Sequence, residues 1–198
     1  FSWFSDFSLS HNREKIKELA SGQLKDEANA WFVGEPFKVF YDYKKEGIWQ
    51  LGEEAAAAAN GQEPGDIKVQ DVDGNGVITT DDRIIYSQRP DVTFGFNNTF
   101  NYKGFDLSVF LYARLGQWIA YDYNTTYRIN ALENGGNVDY WTPENPTNAF
   151  PRPNKSKSYT QVTYYSTLKY EDGSFFKIRD IYVGIYFRNE TLNILEFN

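Results

Sequence analysis

Two runs of eleven residues, 92–102 and 105–115, alternate in character and are separated only by Lys103 and Gly104. In the first run Val92, Phe94, Phe96, Phe100 and Tyr102 share one face, interrupted by Asn98, while Thr93, Gly95, Asn97, Thr99 and Asn101 share the other. In the second, Phe105, Leu107, Val109, Leu111, Ala113 and Leu115 oppose Asp106, Ser108, Phe110, Tyr112 and Arg114. A period of two is that of a β-strand, and a two-residue connection closes an antiparallel hairpin. Strands of about eleven residues, when tilted, cross the hydrocarbon core of a bilayer, whereas strands of soluble sheets average about five or six. Tyr102 and Phe105 fall at the turn end, where an aromatic girdle meets a membrane interface. A secreted β-sandwich that buries one such face against a second sheet shows the same alternation, so the hairpin alone leaves both architectures open.

Composition removes several other classes. Aromatic residues make up 18% of the chain, with 16 Phe, 15 Tyr and 5 Trp, a content that suits strands. The mean hydropathy of -0.60 and the lack of any apolar run approaching about 18 residues exclude a transmembrane helix, but not a transmembrane strand. A net charge of -7 leaves no clustered basic surface for nucleic acid. Cysteine is absent, which removes disulfides and thiolate metal sites. His11 is the one histidine, and no spacing of Asp and Glu selects a catalytic pair, so the chain is expected not to be an enzyme.

Other elements follow from local patterning. Residues 1–10 and 37–43 are aromatic-rich and strand-like, 15–19 suggests a helical turn, and 51–59, with its five alanines, is the best helix by propensity. A glycine and proline break at 61–65 precedes a short strand at 65–70. Segments 159–170 and 174–187 are again β-branched and aromatic, giving about six strands in all. Between the hairpin and this pair, 121–157 is a long polar loop in which Pro143, Pro146, Pro151 and Pro153 prevent regular pairing. Within it Tyr140, Trp141 and Phe150 either meet a ligand or a partner or pack the loop down.

One loop carries possible chemistry. Residues 71–82 place Asp71, Asp73, Asn75 and Asp82 at positions 1, 3, 5 and 12, with Gly76 at 6, Val77 at 7 and Ile78 at 8. That is the spacing of an EF-hand-type calcium loop, in which Asp71, Asp73, Asn75, the Val77 carbonyl and Asp82 supply most of one oxygen shell. Asp, Asn and Gly also form ordinary tight turns whose side chains cap their own backbone. A strand before the loop and Pro90 soon after it argue against a helix–loop–helix switch, so any ion here is expected to be structural and to stiffen residues 65–90.

Six ordered blocks together resemble one family: GEPFKVFYDYKKEGIW (34–49), PGDIKVQDVDGNGVITTDDR (64–83), RPDVTFGF (89–96), YKGFDLSVF (102–110), WTPENPT (141–147) with Pro151 and Arg152, and GSFFKIRDIYVG (173–184). They are similar to SusC/RagA-type TonB-dependent outer-membrane receptors, and the resemblance covers most of the chain. It implies an all-β fold, the C-terminal part of an antiparallel transmembrane β-barrel with long extracellular loops and a short helix, across residues 1–198. The N-terminal plug domain and the TonB-contacting segment of the family have no counterpart here, and the remaining strands are expected from residues outside this sequence. The resemblance further implies TonB-dependent import of glycans or oligopeptides across the bacterial outer membrane, together with a SusD-type surface lipoprotein. In such a barrel Asn97, Thr99 and Asn101 line the interior, and the Val92/Phe94/Phe96 and Leu107/Val109/Leu111 faces meet lipid. The other class is a secreted, calcium-stabilised β-sandwich that binds carbohydrate. The family's proline-marked turn after the last block is missing from residues 185–198.

Overall fold

The computed structural model describes residues 1–20, 22–126, 137–156 and 161–186. Its strands in chain order are β1 (Ser2–Ser10), β2 (Lys25–Asp26), β3 (Trp31–Phe32), β4 (Val39–Tyr43), β5 (Lys45–Ile48), β6 (Ile67–Val69), β7 (Arg83–Ser87), β8 (Val92–Tyr102), β9 (Phe105–Leu115), β10 (Trp118–Ala120), β11 (Tyr170–Asp172) and β12 (Phe175–Ile185). Among the described residues there is one α-helix, α1 (Glu54–Ala59). The chain divides into two units, one from residues 1–13, 90–117 and 173 onward, the other from 14–89 and 118–172.

The first unit is an antiparallel sheet in the order β1-β8-β9-β12. The expected hairpin forms with the bounds read from its alternation, β8 pairing with β9 from Val92↔Leu115 to Tyr102↔Phe105. At the turn Lys103 and Gly104 take φ of 46° and 80°, the positive pair that a tight hairpin turn needs to match strand twist. Gly104 is also where Tyr186 approaches: a Cβ on Gly104 would stand 2.7 Å from the Tyr186 carbonyl oxygen. β1 adds to β8 with Phe7 opposite Phe96, and β12 adds to β9 with Ile181 opposite Val109. Ser10, Val92, Leu115 and Phe175 therefore lie at one end of the sheet, and the turn lies at the other. Both long connections, 11–91 and 116–174, leave and return at that one end.

β12 contains the one irregularity of this sheet. Ile178 pairs with Leu111 and Asp180 with Phe110, so Arg179 is an extra, bulged residue. The apolar positions of the strand are 176, 178, 181, 183 and 185, a step of three in a series of twos. The bulge absorbs that step. Without it Asp180 would occupy the apolar face and Ile181, Val183 and Ile185 the polar one.

The second unit holds the short strands as two-stranded ribbons, β2-β3, β4-β7, β5-β6 and β10-β11. Its core gathers Ile48, Ile67, Val69, Trp141, Tyr165 and Leu168. Four expectations need correction. Residues 15–19 form no helical turn; Ile16 instead bridges Val33, since so short a segment lacks the hydrogen bonds to nucleate a helix alone. The helix begins at Glu54 and not at 51, because Gly52 turns with φ of 94° before it. In segment 159–170, of which 161–170 is described, Tyr165–Lys169 is a 3-10 helix that buries Tyr165, Thr167 and Leu168. In place of about six strands, the described residues form four long strands in one sheet and eight short ones in ribbons. Residues 187–198 lie outside the described part, and with them most of the terminal run.

Candidate functional site

The long sheet offers two chemically opposite faces. One carries Trp3, Phe7 and Leu9 on β1, Phe94, Phe96 and Phe100 on β8, Leu107, Val109 and Leu111 on β9, and Ile178, Ile181 and Val183 on β12. On the outer strands these side chains stand open: Phe7 is 58% exposed and Ile181 62%. A contiguous apolar face left open in this way marks a surface meant for another apolar phase. Asn98 interrupts it, and Trp3 Nε1 donates to Asn98 Oδ1 at 3.2 Å, giving the amide one internal partner. Trp3 stacks on Phe100 with rings 6.1 Å apart, and Tyr102 and Phe105 lie beyond them at the turn end.

The opposite face is mainly polar, with Phe4, Phe110 and Phe175 also on it. Asn97, Thr99 and Asn101 fall on it as expected, and Ser108 Oγ donates to Asn97 Oδ1 at 3.1 Å. It also carries Ser8 and Asp6 on β1, Tyr112 and Arg114 on β9, and Lys177 and Asp180 on β12. The bulged Arg179 turns to the same side, its guanidinium 5.6 Å from the Tyr112 ring centre. The sequence signal for this residue was the step of three between Ile178 and Ile181.

Residues 71–82 form the second candidate. Asp71, Asp73 and Asp82 each bring a carboxylate oxygen within 4.8 Å of the others. Asn75 joins them through Asp73, to whose Oδ2 its Nδ2 donates at 2.7 Å. Val77 takes part through its N–H, which donates to Asn75 Oδ1 at 2.8 Å. Backbone donors already shape the loop: Gly74 and Gly76 N–H donate to the two oxygens of Asp71, at 2.8 and 2.7 Å. Gly76 has φ of 84°, which an L side chain rarely adopts. Asp82 is fully buried and receives the Thr79 N–H at 2.7 Å and the Val72 N–H at 2.8 Å. The Thr79 N–H above all, and then the Val72 N–H, hold its carboxyl below the ordinary value for aspartate. Asn60, at the end of α1, accepts the Ile78 N–H at 2.8 Å and ties the loop to the helix, a contact the loop spacing did not predict. The donor set is oxygen only and anionic, which fits a hard divalent cation.

The aromatic residues of the polar loop separate. Trp141 is 4% exposed, and its Nε1 donates to Gln50 Oε1 at 2.8 Å, so it packs the core of its own unit. Phe150 packs partly against the same cluster, while Tyr140 is 42% exposed. His11 sits beside the sheet end, Nδ1 donating to the Asp91 carbonyl at 2.6 Å.

Long antiparallel strands, with one face mainly apolar and the other mainly polar, define a portion of a sheet with membrane-barrel dimensions. No protein-family model matches the chain. It is 32% identical over 206 residues to TonB-dependent receptor P3 of Formosa agariphila, covering 93% of this chain and 20% of that protein. It is 33% identical over 199 residues to TonB-dependent receptor P26 of the same organism, covering 91% and 20%. Among solved structures, that of the RagAB peptide transporter superposes with a TM-score of 0.61 at 20% identity, covering 91% of this chain and 20% of the other. The chain thus corresponds to part of a TonB-dependent receptor. It spans about a fifth of the length of the curated relatives it matches.

Proposed function

We propose that residues 1–198 form the C-terminal portion of the barrel of an outer-membrane importer, driven through TonB and working with a SusD-type surface lipoprotein. The observation that carries this is the four-stranded antiparallel sheet, whose apolar face runs unbroken in register across β1, β8, β9 and β12 apart from the Ser5/Asn98 row. A sandwich would cover that face with a second sheet, and the first unit has none among its described residues. The cargo is a glycan or an oligopeptide; RagAB, which this chain resembles in fold, is a peptide transporter, and that favours the oligopeptide as the first class to try.

Within this function the 71–82 loop is a structural calcium site. Asp71, Asp73, Asn75, the Val77 carbonyl and Asp82 would hold the ion, whose charge offsets the mutual repulsion of three carboxylates. It stiffens residues 65–90 and takes no part in switching.

The test uses the parent receptor with a single cysteine at Leu111 or at Ser108. A lipid-soluble spin label or quencher is expected to reach Leu111→Cys and not Ser108→Cys, and the protein to require detergent for extraction. Release of the parent into aqueous buffer, or equal lipid access at both positions, rejects the importer.

A further inference from the structure

In the second unit one lysine stands between two cavities. Lys45 opens β5 opposite Val69, and the next pairing is Gly47 with Lys68, so Glu46 is an extra, bulged residue. Asn148, from the other long connection, lies over Gly47: a Cβ there would meet its Oδ1 at 2.5 Å, and only glycine leaves it room. Asn148 Oδ1 accepts the Ile48 N–H at 3.0 Å, and the Asn148 carbonyl accepts Lys45 Nζ at 2.7 Å. An ammonium has three donors, and this bond uses one. Among the described residues neither Lys45 nor Lys44 forms an ion pair, whereas Lys68 beside them is joined to Glu53 at 2.7 Å. Burial holds the Lys45 amine below the usual lysine value, and Glu171 only partly opposes it.

A cavity of about 590 Å³ lies against Lys44, Lys45, Lys68 and Asn148. A second, of about 430 Å³, also reaches Lys45 and is walled by Trp118, Phe150, Leu168 and Tyr170. That wall is braced from behind. Tyr170 stacks on Tyr86 with rings 5.1 Å apart and meets Phe40 at 5.2 Å, and Trp118 meets Tyr86 edge-on at 4.8 Å. A cation that burial penalises, and that the fold leaves without a counter-charge, gains most from an anion brought from outside. The aromatic wall beside it suits an apolar side chain, and Glu46, Glu171 and Asp172 around the same cavity repel a second acidic group. One carboxylate next to an apolar or basic side chain is the chemistry of a peptide's C-terminal residue. Lys45 and Asn148 belong to the two long connections, which in outer-membrane barrels are extracellular, the side from which cargo arrives. We propose that Lys45 binds the C-terminal carboxylate of an oligopeptide cargo, whose last side chain lies against Trp118 and Tyr170. This rests on the importer reading above and adds to it which end of the peptide is recognised.

The purified full-length receptor tests this with two probes, N-acetyl-Ala-Ala-Phe and the same peptide as its C-terminal amide. Calorimetric titration should show the acid binding and the amide about tenfold weaker, because the amide brings no charge to the ammonium. Lys45→Gln should weaken the acid about tenfold and leave the amide as it was. Equal affinity for acid and amide, no binding of either, or wild-type affinity in Lys45→Gln overturns the proposal. So does tri-galacturonate displacing the acid peptide at lower concentration, which would assign the lysine to an acidic glycan. Footprinting of the wild-type receptor gives a second reading that no folding defect can blur. Acetylation of Lys45 by an amine reagent, mapped by mass spectrometry, should slow severalfold under saturating acid peptide and stay unchanged with the amide. An unchanged rate under the acid peptide also overturns the proposal. Failure of lipid probes to reach Leu111 is a different result: it rejects the importer reading and leaves these binding measurements standing.

Discussion

Replacing Val109 with arginine puts the lipid assignment to a quantitative test. β9 has 11 residues. At a rise of about 3.4 Å each they span ~37 Å, and a tilt near 40° reduces this to ~28 Å along the membrane normal, close to the ~25 Å apolar band of outer-membrane barrels. Val109 stands four residues from Phe105 at the turn end, hence ~10 Å along the normal and within a few ångströms of the midplane. Its row neighbours are Asn98 on β8 and Ile181 on β12, the latter 62% exposed, and neither carries a charge that could neutralise the arginine. An arginine on the lipid face costs about 2–4 kcal/mol at the midplane and about 0–1 kcal/mol near the interfaces. Val109→Arg should therefore lower stability by about 2–4 kcal/mol, Leu115→Arg at the strand end by about 1 or less, and Ser108→Arg on the polar face by little. Denaturant unfolding of the parent receptor in liposomes measures all three. A Val109→Arg cost below about 0.5 kcal/mol, or one equal to that of Leu115→Arg, refutes the placement and with it the assignment of faces.

Three further outcomes follow from other parts of the molecule. Gly104→Ala forces an L residue to φ of 80° and sets a Cβ 2.7 Å from the Tyr186 carbonyl, so it should cost about 1–2 kcal/mol and slow barrel folding in a refolding assay; wild-type kinetics would contradict this. Chelation of calcium, or Asp71→Ala with Asp73→Ala, should speed hydrogen exchange across residues 65–90 and leave β8 and β9 protected; loss of hairpin protection would mean that the loop does more than clip. Glu53 accepts from Lys68 Nζ at 2.7 Å and from the Gln50 N–H at 2.8 Å, and these bonds, Lys68 first, hold its carboxyl below the ordinary 4.5. The folded value being the lower, this tie is fully present above pH 4.5 and is lost as pH falls through the folded value. The Gln50 amide, corrected for intrinsic exchange, should lose protection in acid, and Glu53→Gln should abolish that pH dependence; an equal acid response in Glu53→Gln would exclude the carboxylate as its source.

How far the sequence reached differs from element to element. β8 and β9 were legible to the residue, because strict alternation fixes which side chains share a face and Lys103–Gly104 leaves one register for the turn. The loop spacing likewise foretold that Asp71, Asp73 and Asp82 would converge, since Gly76 and the backbone N–H groups shape it locally. Segment 159–170 misled: β-branched and aromatic residues suggested a strand, yet the 3-10 helix wins because a turn of three residues brings Tyr165 and Leu168 to one side and into the core with Trp141.

Local pattern thus determined by itself the hairpin, its two faces and the shape of the acidic loop, because strand alternation and tight turns depend on residues within a few positions of one another. Only the tertiary structure decided what joins them. β1 reaches β8 across some ninety residues, β12 takes the other side of β9, and the Arg179 bulge keeps Ile181, Val183 and Ile185 on the apolar face. Trp141, a candidate for ligand contact in the sequence, became core for the same reason. Which distant surfaces bury one another is set by the free energy of closing long loops against the apolar area they cover, and no local spacing encodes that balance.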